Sequence, residues 1–488
     1  MSGDAQHAPS YEGVRRLRVA GVTLLVVTAP LLLGGVLAWT RALVAASVAL
    51  LMVLEWAPRA WAGRGPDRRE RAWLAVWLAL SFLVLLQLLP LNSALLRASG
   101  ALHGTLLAPA DAEVPRLTPM PLAALGWWAS FTTYWAVAFT LATARRRAVA
   151  RLAGALTALV LFEAFYGTWA LAHGADRVLG LWPKPRYLGD ATGTFVNHNH
   201  YAGLLALCWP LCLAWLRLPR EAGGPALPGA ARRVLVVFVC LWLGAALVAS
   251  HSRLGLAAAG AGLLVWLAAS PNPRPRSARG LPWLALAAPA AALLGAIWFG
   301  SGVLVERFLD LAQAGERLAV WRALLALPAR TWLLGAGAGA FPDVFKTVQP
   351  SEIAASYLHA HNDVLELLLD FGVVGLAVAA LPAWGWWRRV RPGHFGALQR
   401  GALGGVAAVA IHSLGDFDLQ VPGVALPFWA TLGIALNARA GRATSADAHS
   451  SRPRRRPRDR SFVAASPRSK AVGQSGYQVP VPRLRRAH

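Results

Sequence analysis

Two imidazoles, an amide and two carboxylates crowd together at His359, His361, Asn362, Asp363 and Glu366, where a polar stretch runs into the apolar segment VLELLLDFGVVGLAVAAL. A neutral imidazole near ambient pH can take a proton from an attacking hydroxyl, and a neighbouring carboxylate can orient the ring. His361 is therefore the candidate base, with Asp363 or Glu366 as its expected orienting partner. Glu366 and Asp370 follow Asp363 at spacings of three and seven residues, so a helix would present all three acids on one face. Ionisable groups at the mouth of an apolar span are functional suspects. The plainer alternative is that the histidines cap the helix and the acids face a water-filled crevice.

Two guanidinium groups add a second kind of chemistry. Arg253 in SHSRLG stands beside hydrocarbon, where a planar fork suits a phosphate or diphosphate; simple snorkelling to the interface explains it as well. Arg317 in ERLAVW falls among Leu318, Val320, Trp321, Leu324, Leu325 and Leu327, whose spacing suggests a helix lying on the membrane. Its partner is a headgroup or Glu316. GTFVNHNHYAG contributes Asn197, His198 and His200, and His251, His412, Asp416 and Asp418 end apolar stretches in the same way. Trp182, Tyr187, Tyr201 and Trp321 could stack on sugars or anchor the interface. Gly335 to Gly339 is no nucleotide loop, since no strand precedes it and no Lys-Ser/Thr follows; a compact turn near the lipid surface is expected.

These residues need elements to carry them. The chain has 488 residues, 56% hydrophobic and 15% charged, with mean hydropathy +0.46. That balance predicts an all-α, polytopic integral membrane protein. Stretches of on the order of 20 apolar residues, enough to cross about 30 Å of hydrocarbon, recur about twelve times. They run near 19 to 39, 42 to 61, 72 to 92, 122 to 144, 149 to 172, 199 to 217, 232 to 250, 254 to 270, 281 to 300, 362 to 387, 401 to 415 and 420 to 438. Barrel strands would need only about ten alternating residues each.

The Lys and Arg residues gather in alternate loops, including Arg15, Arg16, Arg18, Arg68, Arg69, Arg145 to Arg147, Arg151, Arg217 and Arg220. The positive-inside rule then places both termini in the cytoplasm, and the histidine and arginine motifs outside it, with a large loop over 301 to 361. The formal charge of +25 is largely this topology signal and does not require nucleic acid. The expected division is a cytoplasmic N-terminus over 1–18, a transmembrane catalytic region over 19–438 and a basic, disordered cytoplasmic tail over 439–488. The tail segment RPRRRPRDR could adhere to anionic lipid or be merely solvated. The first apolar stretch lacks a convincing cleavage site and reads as an uncleaved helix. Cys208, Cys212 and Cys240 all fall inside spans and read as packing residues.

Taken in order, GTFVNHNHYAG, SRLG, ERLAVW, GAGAGAF, HAHNDVLELLLDFGVVGL and HSLGDFDLQVPG resemble the O-antigen ligase and polymerase superfamily of bacterial envelope glycosyltransferases, over roughly 190 to 438. The resemblance implies a GT-C-like helical bundle in the bacterial inner membrane, with a large periplasmic loop. It also implies transfer of glycan from an undecaprenyl diphosphate carrier to a hydroxyl of a glycan, lipid or protein acceptor, inverting and with no cofactor, metal or nucleotide. In that reading His361 activates the acceptor and Arg253 and Arg317 hold the diphosphate. Asn197, His198, His200, His359, Asn362, Asp363 and Glu366 support them. The expected partners are the lipid-linked glycan, its acceptor and membrane lipids, with no nucleic acid. Two other classes remain open: a secondary transporter using Glu163, Glu366 and Asp370 as a proton path, and a non-catalytic scaffold for envelope polysaccharide export. The first lacks an internal repeat and leaves the outer arginines unexplained.

Overall fold

The computed structural model describes residues 8–90, 116–269, 312–329, 331–387 and 395–437. The chain divides into two units, Met1–Thr444 and Ser445–His488, and the described residues all belong to the first. The expected span over 281 to 300 and the basic tail lie outside the described residues.

Helices stand at each of the other expected spans. They are α1 (Ala8–Leu31), α2 (Ala38–Trp61), α3 (Arg68–Leu88), α4 (Pro121–Thr143), α5 (Arg146–Ala172), α6 (His198–Leu216), α7 (Gly229–Ala249), α8 (Arg253–Ala268), then α12 (Asp363–Trp387), α13 (Ala397–His412) and α14 (Pro422–Ala435). Between α8 and α12 come three shorter helices, α9 (Ala312–Leu325), α10 (Thr331–Leu334) and α11 (Phe341–Val348). Among the described residues, four helices, α2, α3, α5 and α7, are long and apolar enough to cross a membrane. Others fall short of that measure for visible reasons: α6 opens on His198-Asn199-His200, and α8 and α14 have only 16 and 14 residues. Leu43, Leu50 and Leu54 on α2 and Phe162, Phe165 and Trp169 on α5 point outward at helical spacing, as lipid contact requires. The chain is a helical membrane protein.

Almost every side chain of α6 is buried, because α5, α8, α13 and α14 surround it. Without a hydrophobic drive inside lipid, such packing depends on close backbone approach. Glycines on α13 provide it: a Cβ at Gly405 would lie 2.2 Å from the Leu207 carbonyl, and one at Gly404 2.6 Å from that of Gly262. At the other end of the bundle, α1 begins earlier than the sequence suggests. Arg18 is therefore inside the helix, 1% exposed, where it needs a counter-charge. Glu55 stands 3.0 Å away and also meets Arg59, which pairs with Glu70 at 2.7 Å, so one ionic chain ties α1, α2 and α3 together.

Two expectations need correction. The helix at Arg317, α9, does not simply lie on a membrane: Val320 and Leu324 are buried with Phe341, Val344, Phe345 and Leu369, giving the segment between α8 and α12 its own small core. Gly335 to Gly339 packs on α12, with the Ala336 and Gly337 amides donating to the carbonyls of Leu369 (2.6 Å) and Asp370 (3.2 Å). Also, α12 is not one straight span. It breaks at Gly372 (φ 64°, ψ −172°), in a region essentially closed to other residues.

The break is where the segment between α8 and α12 docks: a Cβ at Gly372 would stand 2.3 Å from the Leu333 carbonyl. Gly372→Ala should cost on the order of 2 kcal/mol or more, seen as a lower melting temperature in detergent. Gly260→Ala, on α8 with nothing within 4 Å of the added carbon, is the matched control and should melt at or above the native temperature. Equal melting of the two variants would contradict this account of the break.

Candidate functional site

The histidines of α6 are set by its first turn. Asn197 caps the helix by accepting the Asn199 amide (2.9 Å), which fixes where the next side chains point. His198 meets the Ser250 carbonyl through Nδ1 (2.5 Å) and lies 3.4 Å from Asp190, while His251 holds the other oxygen of Asp190 at 2.8 Å. Lys184 donates to the Asp190 backbone carbonyl (3.0 Å), and burial lowers its ammonium pKa against the opposing pull of Asp190. Tyr187 stacks on His198 at 4.4 Å; burial and then the Asp416 charge raise its phenol above the ordinary value.

His200 points elsewhere, to Asp418 (3.0 Å), which also holds His412 at 2.7 Å. Both Asp418 and its neighbour Asp416 are almost fully buried. Because Phe417 separates them, the two acids face different partners. Asp416 Oδ1 stands 3.5 Å from His361 Nδ1, and Asp416 Oδ2 stands 3.8 Å from Arg317. Arg317 also donates to the Gly415 carbonyl. Burial alone would raise the pKa of Asp416. The adjacent His361 imidazole and the charges of His200, His412 and Arg317 outweigh it and hold the carboxyl well below the usual range. Asp418 is lowered too, since His412 and His200 together overcome its burial.

The orienting carboxylate of His361 is thus Asp416, and not Asp363 or Glu366. Asp363 accepts from the Ser413 hydroxyl (2.7 Å) and the Leu419 amide (3.1 Å). Glu366 accepts from the Ala360 amide (2.9 Å) and contacts His359 Nδ1 at 2.9 Å. Asn362 accepts the Leu365 amide, capping α12, and donates to the Leu414 carbonyl (3.0 Å). Asp363 and Asn362 fasten the His359–Asp363 turn to the turn that carries Asp416, and Glu366 braces the first turn from within. Trp321 pins it from α9 by donating to the Ala360 carbonyl (2.8 Å). Arg317 is not paired with Glu316, which instead accepts from Tyr357 (3.1 Å).

One ring joins these parts. Phe417 stacks on His359 at 4.4 Å and meets His200 and His361 edge-on, each at 4.7 Å. Each imidazole has its own acid: Asp418 for His200, Glu366 for His359 and Asp416 for His361. His361 takes a left-handed φ of 50°, as do His251 (54°) and Tyr187 (61°), so three site residues carry backbone strain. Arg253 is the first residue of α8, next to Ser252, whose hydroxyl donates to Asn199 (2.8 Å); it is held beside the start of α6.

Of the aromatic candidates, Tyr201 is fully buried, with its hydroxyl against Gly167, and cannot stack on a sugar; Tyr187, Trp182 and Trp321 stay partly open. Among the described residues, no three His, Cys, Asp or Glu side chains converge as a metal site. Phe417, Asp190 and Lys184 were not singled out by the sequence. The acids flanking an aromatic in Asp416-Phe417-Asp418 were a usable signal, whereas Asp190 and Lys184 sit in a loop with none.

Residues 238–380 match the family model for O-antigen ligases, a segment that includes Arg253, Arg317, His359, His361, Asn362, Asp363 and Glu366. Asn197, His198, His200 and Asp416 fall outside it. No curated protein matches the chain. With the helical bundle around it, the protein is a multi-pass membrane protein in which residues 238–380 are similar to the O-antigen ligase family.

Proposed function

We propose that the protein is a glycosyltransferase of the O-antigen ligase or polysaccharide polymerase type, moving glycan from an undecaprenyl diphosphate carrier to an acceptor hydroxyl at the periplasmic face. The observation that carries this is Asp416, one buried carboxylate with an imidazole and a guanidinium side by side at the end of the bundle next to α9. A lipid diphosphate is already a good leaving group, so the enzyme has to supply a base and charge stabilisation. His361 takes the proton of the acceptor hydroxyl. The freed oxygen attacks the anomeric carbon, the bond from that carbon to the diphosphate oxygen breaks, and the carrier diphosphate leaves with its charge met by Arg317 and Arg253. Attack from the face opposite the leaving group inverts the configuration. The acceptor is a glycan, lipid or protein hydroxyl, and neither nucleotide nor metal takes part.

About twelve spans, both termini cytoplasmic, a catalytic region over 19–438 and a basic tail over 439–488 complete the proposed arrangement. His198, Asn197 and His200 support the site through α6, and His359, Asn362, Asp363 and Glu366 through the turn beside His361. Asp416 positions His361, and Phe417 keeps the three imidazoles apart and in place.

The direct test is transfer from purified undecaprenyl-diphosphate glycan in detergent, with EDTA and no nucleotide. His361→Ala should lower the rate by about 10²–10⁴-fold, and Arg317→Ala by about 10²–10³-fold. Full activity of His361→Ala would remove the base, and absence of any turnover by the native chain would favour a transporter or scaffold. Phe417→Leu should lower kcat by about tenfold with KM little changed, because it disturbs the base more than substrate binding. A change confined to KM would instead make Phe417 a substrate contact.

A further inference from the structure

An open surface pocket of about 770 Å³ lies at the other end of α5 from the histidines, lined by the exposed side chains of Arg147, Arg151, Arg220 and Glu221 and by Gly223. With 27 residues, α5 is about 40 Å long. Its far half carries Glu163, which accepts the Thr194 amide (2.9 Å) just before α6. Its first turns carry Arg147 and Arg151, four residues apart and so on one face. Arg220 and Glu221 come from a short turn, Arg220–Ala222, after α6.

The walls are fixed. Gly223 donates to the Arg220 carbonyl (2.9 Å), Gly224 to that of Pro219 (3.0 Å), and the Trp215 indole donates to the Gly223 carbonyl (3.2 Å). Gly223 has φ +90° and presses on Ala150, so the turn sits against α5 beside the arginines. Among the described residues, Arg147, Arg151 and Arg220 make no ion pair with any carboxylate, Glu221 included. The Arg18 region at α1 to α3 shows the opposite arrangement, with guanidinium groups matched to acids. Arg147, Arg151 and Arg220 are exposed, and water can solvate them, but three guanidinium groups converging from two elements with no carboxylate partner form a positive patch whose planar forks suit a phosphate.

The same face of α5 says what kind of anion. Counting on from Arg147 and Arg151, the outward residues are Ala158, Phe162, Phe165 and Trp169, a straight apolar stripe toward the other end of the helix. A molecule with a negative head in the pocket could lay its hydrocarbon along that stripe. We propose that the pocket binds the phosphate of an anionic glycerophospholipid such as phosphatidylglycerol, with its acyl chains on the outer face of α5. Glu221 leaves the pocket net positive and offers an acceptor for the glycerol hydroxyls. This site is separate from the histidine cluster and does not depend on the transfer reaction.

Native mass spectrometry of the full chain, released from detergent after incubation with phosphatidylglycerol, phosphatidylethanolamine or inorganic phosphate, tests the proposal. The native protein should retain one phosphatidylglycerol more than the triple variant Arg147→Ala, Arg151→Ala, Arg220→Ala, whose apparent affinity falls on the order of tenfold or more. Phosphatidylethanolamine should be held more weakly, and inorganic phosphate should not displace the lipid. The triple Arg→Lys variant keeps the charge and guards against misfolding; it should retain most of the binding. Equal phosphatidylglycerol retention by native and triple-Ala chains would overturn the site. Displacement by inorganic phosphate would overturn the lipid assignment in favour of a soluble anion.

Discussion

Asp416 and Asp418 are ionised carboxylates taken almost entirely out of water at the end of an apolar bundle, and the arrangement around them follows from that constraint. Leaving such a charge unmatched would cost several kcal/mol. His200 and His412 meet Asp418, and His361 and Arg317 meet Asp416. Four side chains from α6, α9, α13 and the turn before α12 are therefore drawn to one short loop. The partners outweigh burial, and both acids stay charged. A charge that is paid for in this way also fixes geometry, since a partner that drifts leaves the carboxylate exposed to the full penalty.

The rest of the fold makes that convergence possible. Glycines along α13 let it approach α6 and α8 closely, so His412 reaches Asp418 from one side while His200 reaches it from the other. The segment between α8 and α12 has a core of its own, and Trp321 and Glu366 clamp Ala360 from both sides. His361 is in this way carried on a strained turn that neither the helix beneath it nor the segment above it allows to relax. Asp363, buried and bonded to Ser413 and Leu419, locks that turn to the loop bearing Asp416. The two loops behave as one piece.

Much of this was legible from the residues alone, and the misses have physical causes. Runs of apolar residues marked the helices, since length and hydropathy are local properties. The HAHND turn and Arg317 stood out because imidazoles and guanidinium groups are costly beside hydrocarbon. Pairing is a different matter: Asp363 and Glu366 are near His361 in sequence, yet the acid that faces it comes from beyond α13. Helical spacing groups residues within one element and says nothing about which loop of another lies opposite. The break at Gly372 was hidden because an unbroken apolar run masks a backbone change that depends on the Leu333 carbonyl. Phe417 looked like one more apolar residue, and its role exists only once three histidines surround it.

If Asp416 acts by holding His361, the two residues must be energetically coupled, and a double-mutant cycle on the transfer rate measures this directly. Rates would be compared for the native chain, Asp416→Asn, His361→Ala and the double variant. The account predicts that Asp416→Asn costs far less when His361 is already absent, leaving only its smaller effect through Arg317. An equal cost in both backgrounds would mean that Asp416 and His361 act independently, and would contradict the shared-carboxylate site.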